Sequence, residues 1–223
     1  MSESITRLTI IEVMQDMAQE IENISSMLYS AVKKDKEGIE KLYRQELLLA
    51  KEKISRAKDR IFDYLANGRL EVLPYKEFYI NSSLQLENAI NKFDAGVYRL
   101  ILLQGAQRDA RYDEVNDTIV YILEEIYNSS RSLVDLLRSL LSVRKASPEK
   151  RKMIEEKFSR VADSESRVDS IYRSGLAKIL EFYKAEPSKL LLLKDAIEYL
   201  EDSMDCIYSS SVYIKLIGIS WLT

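Results

Sequence analysis

The chain has 223 residues, 46% of them hydrophobic and 31% charged, with only 6 Gly and 3 Pro. That length and apolar content suffice for one large core or two small ones, and so few chain breakers point to an all-α protein. With 33 basic and 36 acidic residues, a net charge of −3 and no histidine, it offers no basic face for nucleic acid and excludes His-based catalytic triads, His-ligated haem and Glu-x-x-His di-iron sites.

The first stretch, MSESITRLTIIEVMQDMAQE, carries acids from position 3 and no basic lead into an apolar run, unlike a signal peptide. A helix is expected over 4–33, with Leu8, Ile11, Met14, Ala18, Ile21 and Ile24 or Ser25 along one face. A charged break at 33–38 precedes a second helix over about 38–65, stopped by the turn signal Asn67-Gly68. Pro74 suits the first turn of a third helix reaching about Gln104. The polar stretch 105–113 either separates two halves of the chain or is carried as helix.

The second half repeats this plan. A fourth helix is expected over 113–143, with Ile119, Ile122, Ile126, Leu133, Leu137 and Leu140 or Leu141 inward. Ser147-Pro148-Glu149 supplies a cap and a first-turn proline for a fifth helix, which runs to about Tyr183. Its three-four spacing predicts a buried stripe of Ile154, Phe158, Val161, Glu165, Val168, Tyr172, Leu176 and Ile179, in which Glu165 is out of place. Pro187 starts the sixth helix, whose apolar stripe is Leu193, Ile197, Leu200, Met204 and Ile207. Its single cysteine, Cys206, reads as a small packed side chain and admits neither an internal disulfide nor a Cys-rich zinc site. The tail 212–222 is apolar but interrupted by Lys215. It reads as the packed end of a helix or an exposed docking edge, and no stretch approaches the roughly 18 apolar residues of a membrane span. A soluble, cytoplasmic protein is expected, built as two tandem antiparallel three-helix bundles over 1–109 and 110–223.

Two acids four residues apart on a helix stand one above the other and can share a cation. A chain with 36 acids yields about six such pairs by chance, so spacing alone decides nothing. Placement distinguishes two. Glu165 and Asp169 lie on the fifth helix, and Glu201 and Asp205 border the apolar stripe of the sixth. The turn at Pro187 folds these helices together with both pairs at similar height. Partly buried carboxylates without a counter-cation are costly, so the four form either a metal site or a solvated groove. With no histidine and one cysteine, any metal rests mainly on oxygen ligands, which favours hard cations such as Mg, Ca, Mn or ferric iron.

The Glu-x-x-x-Asp pairs, the repeated three-helix unit, the stretch LLLLKDAIEYLEDSMDCIYSSS over 190–211 and the third helix, including QLENAIN over 85–91, resemble the PhoU family, in particular its branch of phosphate-transport regulators of the Pit accessory type. The resemblance covers the whole chain in layout, with the acidic motifs clean only in the second half. It implies a PhoU-like repeat, a non-enzymatic regulator of phosphate transport and homeostasis, and a divalent or ferric metal ion (Fe, Mn, Mg or Zn) held by Glu165, Asp169, Glu201 and Asp205. It also implies a phosphate transporter, or its signalling partner at the membrane, as the contact, with homo-oligomer formation left open. In the first half Ile54 and Lys58 stand where Glu165 and Asp169 stand in the second, and Asn91 follows Glu87, so the acidic motif is degenerate there. The alternative is a helical scaffold or adaptor with no ligand. An enzyme ranks third, because no general base stands out.

Overall fold

A computed structural model describes residues 3–34, 38–67, 75–103, 110–142 and 147–222. Its elements are α1 (Glu3–Lys34), α2 (Gly38–Leu42), a π-helical turn (Tyr43–Leu47), α3 (Leu48–Asn67), α4 (Lys76–Leu102), α5 (Ala110–Leu141), α6 (Pro148–Tyr183) and α7 (Pro187–Ser220), with no strand among the described residues. The protein is all-α. The breaks at 35–37 and 68–74, Pro74 among them, lie outside the described residues, as do Gln104, Val143 and most of the polar stretch 105–113. No helix among the described residues is long and apolar enough to cross a membrane.

Local sequence accounts for the helix ends. The hydroxyl of Ser147 accepts from the Lys150 amide at 3.3 Å, and Pro148 occupies the first turn of α6, where its missing N–H leaves nothing unsatisfied. Pro187 does the same for α7. The α6–α7 turn is locked from α5. Arg111 donates to the carbonyl oxygen of Phe182 at 2.8 Å and to Glu186 at 2.9 Å, and lies over the Tyr183 ring. The rod formed by α2, the π turn and α3 departs from the uniform helix expected there. The π turn places Tyr43 beside Tyr98 and within hydrogen-bonding reach of Asp94 on α4.

A single apolar core runs through both halves, from Ile10 and Met14 on α1 to Ile214 and Ile217 on α7. The main seams between halves are α4 on α7 and α1 on α5. The α4–α7 seam is antiparallel and built on small residues. Ser203 donates to the Ala89 carbonyl at 2.9 Å, and the Ser82 and Ser210 hydroxyls bond each other at 2.8 Å. A Cβ on Gly96 would lie 3.1 Å from the Ala196 carbonyl oxygen. The α5–α6 seam is equally close, since a Cβ on Gly175 would stand 2.5 Å from Thr118 Cγ2. Beside it the buried Glu125 takes both arms of Arg167, at 2.7 and 3.2 Å.

Two expected core stripes need correction. Leu8 is 38% exposed, because the buried face of α1 centres on Met14, Met17 and Ile21, leaving Leu8 on the far flank. On α6 the buried line is Ile154, Val161, Ser164, Val168, Gly175 and Ile179, while Phe158, Glu165, Tyr172 and Leu176 are only half-buried. The helix is rotated so that its small residues meet α5, and Glu165 falls on the flank facing α7. The tail is packed helix: Ile214, Ile217 and Gly218 are buried, and the Trp221 indole donates to the Tyr79 hydroxyl at 3.2 Å.

Candidate functional site

The half-buried flank of α6 and the facing edge of α7 form a seam with an aromatic group at each end. At one end Phe158 packs on Tyr208 with ring centroids 6.0 Å apart, under the Lys215 ammonium. At the other, burial raises the Tyr172 hydroxyl above its ordinary range, and the negative charges of Glu198 and Glu201 push it further. Between them stand the four acids singled out from the sequence. Antiparallel packing of α6 on α7 sets Asp169 within electrostatic reach of Glu201, and Asp205 within reach of both Glu165 and Asp169.

This crowding shows in their proton affinities. Desolvation, followed by the charges of Asp205, Asp202 and Asp169, pushes Glu201 up from 4.5 to about 7. Desolvation and then Glu165, Asp169 and Asp202 push Asp205 from 3.8 to about 6. The outer edge of Asp205 is open to water, so solvent screens it more and the lift of Glu201 is the firmer of the two. Two neighbours relieve part of the charge. Arg173 reaches Asp169 Oδ2 at 2.6 Å from an exposed position one turn on, and Lys92 of α4 holds Asp202 at 2.8 Å. Glu165 accepts from the hydroxyl of Ser166 at 3.3 Å. Along the seam five carboxylates meet two cationic side chains, an imbalance that favours the protonated forms of the acids.

Oxygen donors alone suit a hard cation. Among the described residues, however, no group of three or more His, Cys, Asp or Glu is gathered tightly enough to hold a metal ion. Arg173 already engages one oxygen of Asp169, at 2.6 Å. By donor chemistry Glu165, Asp169, Glu201 and Asp205 fit such an ion, which would supply the missing positive charge.

Sequence reasoning missed Asp202 and Lys92, which adjust the charge of the seam from the α4 side. Adjacency to Glu201 was the available signal for Asp202. For Lys92 there was none, since its role depends on the α4–α7 register. Cys206, next to Asp205, is partly buried, and desolvation followed by Asp202 pushes its thiol up to about 11. Such a shift disfavours the thiolate, the nucleophilic form.

In the first half the corresponding helices meet differently. Lys58 on α3 holds both oxygens of Glu87 on α4, at 2.9 and 3.1 Å, and Lys51 pairs with Asp94 further along the same seam. Ile54 is fully buried. A groove of about 430 Å³ separates α1 from α3, with Met17 and Ile54 at its floor and Arg56 and Arg60 at its rim.

No protein-family model and no curated protein matches this chain.

Proposed function

We propose that the protein is a non-enzymatic regulator of phosphate transport whose α6–α7 seam binds a hard metal ion through Glu165, Asp169, Glu201 and Asp205. The observation that carries the metal reading is the convergence of these acids on one seam with too few cationic partners; burial first, and then the neighbouring carboxylates, lift Glu201 to about 7. A divalent or ferric ion (Fe, Mn, Mg or Zn) would relieve that deficit, and open positions on it would attract phosphate oxygens. The link to phosphate transport rests on the resemblance of the acidic pairs and of the stretch 190–211 to PhoU-type regulators. With it comes the expected contact, a phosphate transporter or its signalling partner at the membrane.

Elemental analysis of untagged protein tests the metal. Wild type should carry it, and Glu165→Ala/Asp205→Ala should lose it while staying helical by circular dichroism. Equal metal content in the two proteins removes these residues from the site. For transport, deleting the gene should alter phosphate uptake or the response to phosphate starvation, and Glu201→Ala/Asp205→Ala should reproduce part of the defect at normal protein abundance.

A second reading, a ligand-free helical scaffold, is favoured by the internal pairs of Arg173 with Asp169 and Lys92 with Asp202, which neutralise part of the seam without a ligand. A wild-type protein free of metal selects it.

A further inference from the structure

The two outer seams of the bundle, α3–α4 and α6–α7, solve the same electrostatic problem in different ways. Each joins the second and third long rods of its half, and each carries acids on its last helix, Glu87 and Asp94 on α4 and Glu201 and Asp205 on α7. On α3 the facing residues are lysines. Lys51 and Lys58 are seven residues apart, and so are their partners Glu87 and Asp94, so both pairs fall on one face of the antiparallel contact. The Lys58–Glu87 pair is well shielded, with side chains 16% and 19% exposed. Lys58 also lies 3.4 Å from Asp59 and 5.8 Å from the Phe62 ring centre. On α6 the facing residues are the acids Glu165 and Asp169. In one seam each facing acid has its own lysine, and in the other the acids outnumber their cationic partners.

We infer that Lys58 is a tethered counter-cation: its ammonium, held against both oxygens of Glu87, does in the first half what a dissolved cation does between Asp169 and Glu201 in the second, so the chain has one exchangeable cation centre and not two. An ammonium is a compact point charge with three donors, which suits it to replace an ion among carboxylate oxygens. The inference rests on the cation reading of the α6–α7 seam. It adds that the asymmetry between halves fixes how many ions bind and where.

Two reciprocal variants test it, with Mn²⁺ as the probe in otherwise metal-free buffer. Lys58→Asp/Asn91→Asp replaces the ammonium with acids around Glu87. Titration calorimetry should then show more Mn²⁺ bound per chain than in wild type, with the increment lost when Glu87→Gln is added. A helical Lys58→Asp/Asn91→Asp protein that binds no more than wild type overturns the role given to Lys58. Asp169→Lys makes the converse change and decides the matter if the first variant does not fold. It should abolish Mn²⁺ uptake and, in chelator at neutral pH, raise Tm above wild type by about 2 to 4 °C. An Asp169→Lys protein no more stable than wild type under those conditions also overturns the inference. Wild type that takes up no Mn²⁺ at all defeats the cation seam itself, which the first two outcomes do not touch.

Discussion

Glu201→Gln removes the most displaced charge of the α6–α7 seam while keeping the shape of the side chain. In the folded protein Glu201 holds its proton up to about 7, against an ordinary 4.5. Between those values the folded state binds a proton that the unfolded chain releases, so stability falls as pH rises through the window. Below 4.5 both states are protonated and the penalty vanishes; above about 7 it is complete. A fully sequestered group with this lift would lose about 3 kcal/mol, and solvent screening at a half-buried position reduces that to about 1 to 2 kcal/mol. Glutamine carries no charge at any pH and should escape the penalty. Urea unfolding in chelator, followed by circular dichroism from about pH 5 to pH 8, measures both proteins. The variant should gain about 1 to 2 kcal/mol over wild type at the alkaline end, relative to their difference at the acid end. Curves that stay parallel across the window refute the electrostatic account, whatever their absolute heights. Adding Mn²⁺ or Mg²⁺ should flatten the wild-type curve, since a bound cation takes the place of the proton.

Three further expectations concern the packing that holds the seam in place. Gly175→Ala should cost about 1 to 3 kcal/mol by thermal or urea unfolding, because the new Cβ meets Thr118 Cγ2 at 2.5 Å, and adding Thr118→Ser should recover part of the loss. Arg167→Ala should cost about 2 to 4 kcal/mol because it strands the buried Glu125, and Glu125→Gln in the same chain should cost much less than the sum of the single changes. Ser82→Ala and Ser210→Ala should each cost about 1 kcal/mol, with a coupling in the double-mutant cycle that reports the hydroxyl pair at 2.8 Å.

Long apolar periodicity and the prolines made the helices legible in the sequence, and the cap at Ser147 and the first-turn prolines Pro148 and Pro187 carry their own chemical signal. The phase of α6 was not legible. A pattern built from large apolar residues selects Phe158, Tyr172 and Leu176 for the interior, whereas the observed buried line includes Ser164 and Gly175, the latter against Thr118 of α5. Small residues permit close approach without registering as hydrophobic, and this moves Glu165 from the centre of a buried stripe to its edge. The π turn had no sequence signature either, because Tyr43 and Asp94 are brought together only by the α3–α4 register. The acid pairs were visible as pairs. Their proton affinities depend on how many charges converge, and Asp202 and Lys92 enter that count from a third helix.

The serine-lined contact between α4 and α7 also bears on how the chain acquires its structure. Its partners are far apart along the polypeptide, 114 residues for Ser203 and Ala89 and 128 for Ser82 and Ser210. A helical protein usually gathers its contacts locally and folds fast, but this seam closes only across a large loop, and loop closure slows the rate-limiting step. During synthesis α4 emerges long before α7 and must wait with its buried face uncovered, Leu86, Ile90, Phe93 and Val97 beside Ser82, Ala89 and Gly96. Its serine hydroxyls are content in water, whereas its apolar side chains are not. The last helix to be made thus covers an apolar surface that has stood exposed since α4 was synthesised, and mispairing competes with folding during that interval.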